Sequence, residues 1–247
     1  MQPHVLALIP ARGGSKSIPR KNIKLMAGVP MIAYSIMQAQ VAHTVNRVIV
    51  STDDEEIAQI AQEWGAEVPF MRPAAYAGDH ATDLEVFRHA LAWLAEHEQY
   101  VPDICVHLRP TYPIRDEGDI DRAVDLLVCN PDLDAVRSIA PAPETPFKMW
   151  FIDDDQRISP VVECDTPEAY NQPRQILPPA YLQNACIDVV RASVIREKNS
   201  MTGSHILGFV MDHNFDIDTE AQFLQVEQEL IRRGLHRAPA VQNRKNK

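Results

Sequence analysis

The chain lacks paired cysteines. Its four, Cys105, Cys129, Cys164 and Cys186, lie far apart, with none of the short spacings of a zinc site or a redox dithiol, so free thiols in a reducing compartment are expected. It lacks any apolar run of membrane-spanning length, and nothing after Met1 reads as a secretory leader, so a cytoplasmic protein with no membrane partner is expected. Excess positive charge is missing too. The 24 Lys and Arg residues stand against 34 Asp and Glu, a formal net charge of -10, which argues against a nucleic-acid partner bound by phosphate neutralisation. Neither a Walker P-loop nor the dinucleotide glycine fingerprint is found, so ATPase and dehydrogenase readings fall. No internal repeat is evident.

What is present is concentrated in one segment. Val5 to Ile9 has the make-up of a buried strand and runs into a loop that holds Gly13, Gly14, Arg12, Lys16, Arg20 and Lys21 and is stiffened by Pro10 and Pro19. The glycines permit φ > 0 and close backbone approach, so N–H groups can line an anion nest while the cations neutralise phosphate. A solvated basic loop is the plainer alternative. In an acidic protein, however, such a loop favours a small anionic ligand in one cleft.

The remaining order predicts an α/β fold. With 45% apolar residues in 247, one domain with a small appendage is the leading expectation. Helical spacing covers Met31 to Ala42, a β-branched run covers Arg47 to Val50, and a helix from Asp54 to Trp64 stops at Gly65. A helix from Thr82 to His97, a strand from Asp103 to Leu108 and a helix from Asp116 to Cys129 follow. This alternation implies a mostly parallel sheet with helices on both faces and ligands beyond the carboxyl ends of its strands. From Ser138 to Pro179 the proline-rich chain leaves the sheet, with a hairpin expected over Lys148 to Ile158. The sheet resumes at Ala185 to Val190 and Leu207 to Met211, before a last helix from Thr219 to Arg233 and a disordered tail at 238–247.

Asp216 and Asp218 flank Ile217 in an extended segment, where alternate residues point the same way and both carboxylates face one ion. The competing reading is a helix cap at Asp218 or Thr219. Asp53 and Asp54 offer either another ligand or a cap. Arg72, Asp79, Thr82 and Asp83 suit a nucleobase, His107 reads as a satisfied core histidine, and Arg109 and Arg115 bracket Thr111 at the ligand edge. Lys148 and the Gln172 to Gln175 group add polar side chains from the excursion.

Six blocks, IPARGGSKSIPRKN, STDDEEIA, RPAAYAGD, LRPTYPIR, QPRQ and DIDTE, occur in order from the first strand to the last helix. Together they resemble the cytidylyltransferases that activate sialic acid and related 3-deoxy-2-keto sugar acids. The resemblance implies a Rossmann-like nucleotidyltransferase sheet over 1–237, with 138–181 as an inserted dimerisation and sugar-site segment. It implies a homodimer that takes CTP and a nonulosonic acid, uses Mg²⁺ with Mn²⁺ as an alternative, and yields CMP-sugar and pyrophosphate. Carried over by position, Ala11, Arg12, Gly13, Ser15, Lys16, Asn22, Arg72, Ala81 and Thr82 surround the nucleotide. Arg109, Thr111, Lys148, Arg174 and Gln175 fall at the sugar, and Asp216 and Asp218 at the metal. Arg12 and Lys21 join the two aspartates as catalytic groups, steadying the departing pyrophosphate.

Two departures from the family pattern fall at the sugar: Arg109 stands where the sialic acid enzymes commonly have Gln, and Gln183 to Val189 replaces a pattern like Asn-Gly-Ala-Ile-Tyr. They direct the expected substrate toward a related nonulosonate, such as legionaminate or a deaminated analogue. A nucleotide-sugar-dependent glycosyltransferase with an Asp-x-Asp metal pair, and a non-catalytic nucleotide sensor, are the rival readings.

Overall fold

The structure, a computed structural model, describes residues 2–235; the tail expected at 238–247 lies outside the described residues. In chain order the strands are β1 (Val5–Pro10), β2 (Leu25–Met26), β3 (Val29–Pro30), β4 (Arg47–Ser51), β5 (Ile104–His107), β6 (Ala135–Pro141), β7 (Trp150–Ile152), β8 (Ile158–Pro160), β9 (Tyr181–Arg191) and β10 (Ile206–Val210). The helices are α1 (Met31–Val41), α2 (Glu55–Glu63), α3 (Asp83–Glu98), α4 (Asp119–Cys129), α5 (Ala192–Glu197) and α6 (Glu220–Arg232). Six strands form one sheet in the order β10-β6-β9-β5-β1-β4. β1 runs parallel to β4 and β5, and β10 parallel to β6, whereas β9 is antiparallel to both of its neighbours.

The unbroken apolar run of β1 follows from its place in the sheet. Val5, Ala7 and Ile9 enter the core that also holds Ile32 and Ile36 of α1 and Val124 of α4, while Leu6 and Leu8 enter the core with Phe87 and Leu91 of α3. A strand covered on both faces has no polar side to present. Each fully buried Leu or Ile contributes roughly 1.5–3 kcal/mol relative to exposure, so helices on both faces hold the strand end still.

Helix starts follow local chemistry. Asp54 caps α2 by accepting the Ile57 N–H at 3.0 Å, and Gly65, at φ 85°, ends it as expected. Thr82 and Glu85 form a capping box on α3, and Thr219 and Gln222 form one on α6. α4 starts three residues later than the sequence predicts. Gly118 is left-handed there, and the Asp119 carboxylate accepts the Asp116 N–H at 2.9 Å, making a turn of the preceding residues.

Two boundaries around the excursion also differ from expectation. Ser138 belongs to β6, where it is fully buried and its hydroxyl accepts the Ile187 N–H at 2.8 Å, so the chain leaves the sheet only after Pro141. β9 begins at Tyr181, four residues before the expected Ala185. Ala185 itself sits at φ 58°, and a register shift separates Arg137 from Ile139 opposite it. This bent, polar first half hides the strand from pattern reading. The excursion carries the hairpin β7–β8, close to the expected place.

Candidate functional site

The loops after β1, β5 and β10 and the segment before α3 meet at one end of the sheet around a cleft of about 470 Å³. Arg12, Ser15, Lys16, Lys21 and Asn22 line it from the first loop, Arg72 and Ala81 from the segment before α3, Arg109 and Thr111 from beyond β5, and Asp218 from beyond β10. The cationic loop and the acidic segment, 196 residues apart from Lys21 to Ile217, are thus brought together.

The first loop is held by its own polar groups. The Ala11 N–H donates to Ser51 O at 2.9 Å, the Asn22 amide to Arg12 O at 2.9 Å, and the Gly13 N–H to the Asp53 carboxylate at 3.0 Å. Glycine is required at 13 for close approach, since a Cβ there would lie 2.7 Å from Asp54 Oδ2. Neither Gly13 nor Gly14 adopts the positive φ that the sequence allows. Asp53 and Asp54 therefore shape the loop and cap α2; Asp54 also pairs with Arg20, whose guanidinium holds the carboxyl below the usual range. At the cleft mouth Arg12 donates to Gly78 O at 3.1 Å and to Asp79 at 3.2 Å, and Lys16 also pairs with Asp79.

Lys21 is buried; its ammonium donates to Ile217 O at 2.7 Å and lies 3.7 Å from Asp218. Its neighbour Asp216 is pushed up from the ordinary carboxylate value, first by burial, with the Asp218 charge adding to the rise and a Thr111 hydrogen bond opposing it. Two carboxylates one residue apart, offering hard oxygen donors at the cleft, fit a divalent cation such as Mg²⁺. The cap assigned to Thr219 leaves Asp218 free for that role.

On the β5 side the two arginines part company. Arg115 is fully enclosed, donating to Cys186 O, Tyr112 O, Arg109 O, Ser35 and Gln38, so it braces the loop and presents nothing to a ligand. Arg109 lines the cleft but is already paired, at 2.9 Å to Asp188 and 3.0 Å to Asp83. Arg72 is buried as well, donating to Ser51 and Tyr76 O, with burial lowering its pKa.

A sequence model of cytidylyltransferases matches residues 6–146, more than half of the chain. The chain belongs to the cytidylyltransferase family. It is 34% identical over 226 residues to the post-translational flagellin modification protein B of Campylobacter coli, covering 90% of this chain and 93% of that protein. It is 35% identical, over the same shares, to a CMP-N,N'-diacetyllegionaminic acid synthase of Campylobacter jejuni. Among solved structures, a CMP:2-keto-3-deoxy-manno-octonic acid synthetase complexed with CTP superposes with a TM-score of 0.68 at 18% identity, over 93% of this chain and 99% of that one. At that identity the likeness is one of fold.

In this cytidylyltransferase the remaining candidates are scattered. Ala11, Gly13 and Thr82 flank the cleft in sequence without lining it, and of the two aspartates Asp218 lines it and Asp216 does not. Arg174 and Gln175 line a separate cavity of about 420 Å³ in the excursion. There the Arg174 guanidinium donates to Ala142 O and Pro143 O, each at 2.7 Å, and Lys148 lines neither cavity. All four cysteines are free, as expected.

His107 differs from expectation. It is buried, at 1% exposure, yet both ring nitrogens lack a hydrogen-bond partner. Burial, helped by the Arg109 charge, pulls its pKa down to about 4. Because the folded value lies below the ordinary 6.5, the unfolded chain takes up this proton first as pH falls. Stability is therefore full above about 6.5 and is lost between about 6.5 and about 4, by up to roughly 3 kcal/mol for the imidazole alone. Thermal melts of wild type and His107→Asn across that window check this. The variant's curve is expected to be the flatter of the two.

Proposed function

We propose that the protein transfers CMP from CTP to the anomeric hydroxyl of a nonulosonic acid, releasing pyrophosphate. The observation that carries the reading is the convergence of Arg12, Lys16, Lys21 and Asp218 on one cleft. In an in-line displacement the hydroxyl oxygen bonds to the α-phosphorus as the bond from that phosphorus to the bridging oxygen of pyrophosphate breaks. The hydroxyl proton passes to solvent water. Arg12 and Lys21 hold the departing pyrophosphate, Ser15 and Lys16 the triphosphate, and Asn22, Arg72, Ala81 and Thr82 the cytidine. Asp216 and Asp218 would hold Mg²⁺, or Mn²⁺ in its place, which supplies charge neutralisation at the phosphate oxygens. Arg109 and Thr111 belong to the sugar's side. The named relative at 35% identity supports a legionaminate-type acid, and the free thiols suit the cytoplasm.

We place the second copy on the excursion. Trp150, Phe151, Ile152 and Ile158 of β7 and β8 are 39%, 61%, 69% and 58% exposed, an apolar hairpin without cover in one chain. In a homodimer, Lys148, Arg174 and Gln175 would reach the neighbouring sugar site. Sedimentation is expected to give a dimer for wild type, and a Phe151→Glu, Ile152→Glu double variant is expected to run as a monomer with weakened turnover.

The activity is tested by incubating the protein with CTP, Mg²⁺ and a panel of 3-deoxy-2-keto acids and measuring pyrophosphate. Release with CTP and one such acid is expected. Consumption of a preformed nucleotide sugar instead would support a glycosyltransferase, and CTP binding without product would support a sensor.

A further inference from the structure

The wall of the cleft beyond β5 differs in charge from the loop facing the triphosphate. In the sheet, His107 of β5 stands opposite Asp188 of β9, which in turn stands opposite Arg137 of β6. Asp188 accepts from Arg137 Nε at 3.0 Å and from Arg109 Nη1 at 2.9 Å, and Arg109 Nη2 reaches Asp83 at 3.0 Å. Two guanidiniums and two carboxylates balance to zero. Binding a sugar carboxylate through the arginine fork needs parallel N–H groups on one edge, and here they are divided between two aspartates. Arg109 is therefore no free anion clamp.

Asp83 is the exposed member, its side chain 45% accessible. A carboxylate accepts several hydrogen bonds, and among the described residues only Arg109 donates to this side chain. Behind it, His107 Nδ1 lies 3.8 Å from Asp83 Oδ2 and 4.0 Å from Asp188 Oδ2, beyond hydrogen-bond reach. An unpaired imidazole in a dry site is costly, and such a group calls for a partner acquired in another state. A shift of Asp83 by less than 1 Å toward the ring provides one. Thr111, two residues past Arg109, accepts the Ile217 N–H on its carbonyl at 3.1 Å, so this wall leads directly to the Asp216–Asp218 segment.

Resting on the cytidylyltransferase reading above, we propose that the Asp83–Arg109 pair recognises an uncharged hydrogen-bond donor on the sugar acid, an N–H or O–H, and that His107 is the residue that positions Asp83 for it. The sugar's carboxylate is bound elsewhere. Acylamino and hydroxyl substituents share this donor chemistry, and paired substrates separate them.

The test measures kcat and KM for an acylamino nonulosonic acid and its deaminated hydroxyl analogue, and the CTP dissociation constant by calorimetry, in wild type, His107→Phe and His107→Asn. His107→Phe is expected to raise the sugar-acid KM about tenfold, as loss of one buried hydrogen bond predicts, with kcat and CTP affinity within about twofold. His107→Asn, which keeps an N–H donor, is expected to recover most of the loss. A loss confined to the acylamino acid assigns the N–H, and one confined to the analogue assigns the O–H. An unchanged KM for both, an equal loss of CTP affinity, or an Asn variant as poor as Phe would overturn the proposal. Absence of pyrophosphate with every acid in wild type would instead overturn the underlying activity.

Discussion

Asp218→Ala is expected to reduce Mg²⁺-dependent pyrophosphate release to less than about 1% of wild type, because it removes half of the hard-oxygen pair that would hold the cation. The remaining Asp216 is half-buried and does not line the cleft, so alone it offers the cation a single, partly covered carboxylate. The substitution also frees Lys21 from its 3.7 Å partner, but the ammonium stays anchored on Ile217 O, so the cationic side of the cleft survives. A steady-state assay across Mg²⁺ concentrations checks this. Turnover near normal, with an unchanged Mg²⁺ dependence, would remove the aspartates from the metal role. Asp218 is 74% exposed, so the variant is expected to fold.

Arg12→Ala is expected to lower turnover by about 10²–10³, or roughly 2.7–4 kcal/mol, the cost of deleting one preorganised donor from a developing negative charge. In the structure the Arg12 guanidinium is held across the cleft mouth by Gly78 O and Asp79, and Lys16 shares the same carboxylate. Asp79 thus occupies an anion's place between two cations, and in the proposed reaction a triphosphate would replace it with more charge at the same donors. Pairing with Lys16, and then with Arg12, holds the Asp79 carboxyl below its ordinary value. A single-turnover measurement separates the effect on the displacement from that on CTP binding. A variant that loses affinity alone and keeps its rate at saturation would make Arg12 a binding residue only.

Much of this site is legible in the chain itself. The run from Val5 to Ile9 reads as a doubly covered strand because nothing in it is polar, and the basic loop stands out against an acidic background. Capping chemistry betrays α2 and α3, through Asp54, Thr82 and Glu85. Interactions between distant segments are less visible. Nothing near Arg115 signals that it will be walled in by Cys186 and Ser35, while two Arg residues bracketing a loop look alike in sequence. The pairing of His107 with Asp188 is a matter of β-sheet register between strands about 80 residues apart, and β9 itself is masked by its kink at Ala185. Asp83, at the first turn of α3, reads as a helix-start residue and gains its second role only when Arg109 folds onto it.

The central claim is that the loop after β1 and the Asp216–Asp218 segment grip one nucleoside triphosphate from two sides. A crystal structure with CTP and Mn²⁺, with the metal located by anomalous scattering, tests it most directly. The account predicts a manganese peak touching Asp216, Asp218 and phosphate oxygens, with Arg12, Lys16 and Lys21 on the same triphosphate. A nucleotide seated in the excursion cavity near Arg174, or a metal remote from both aspartates, would contradict it.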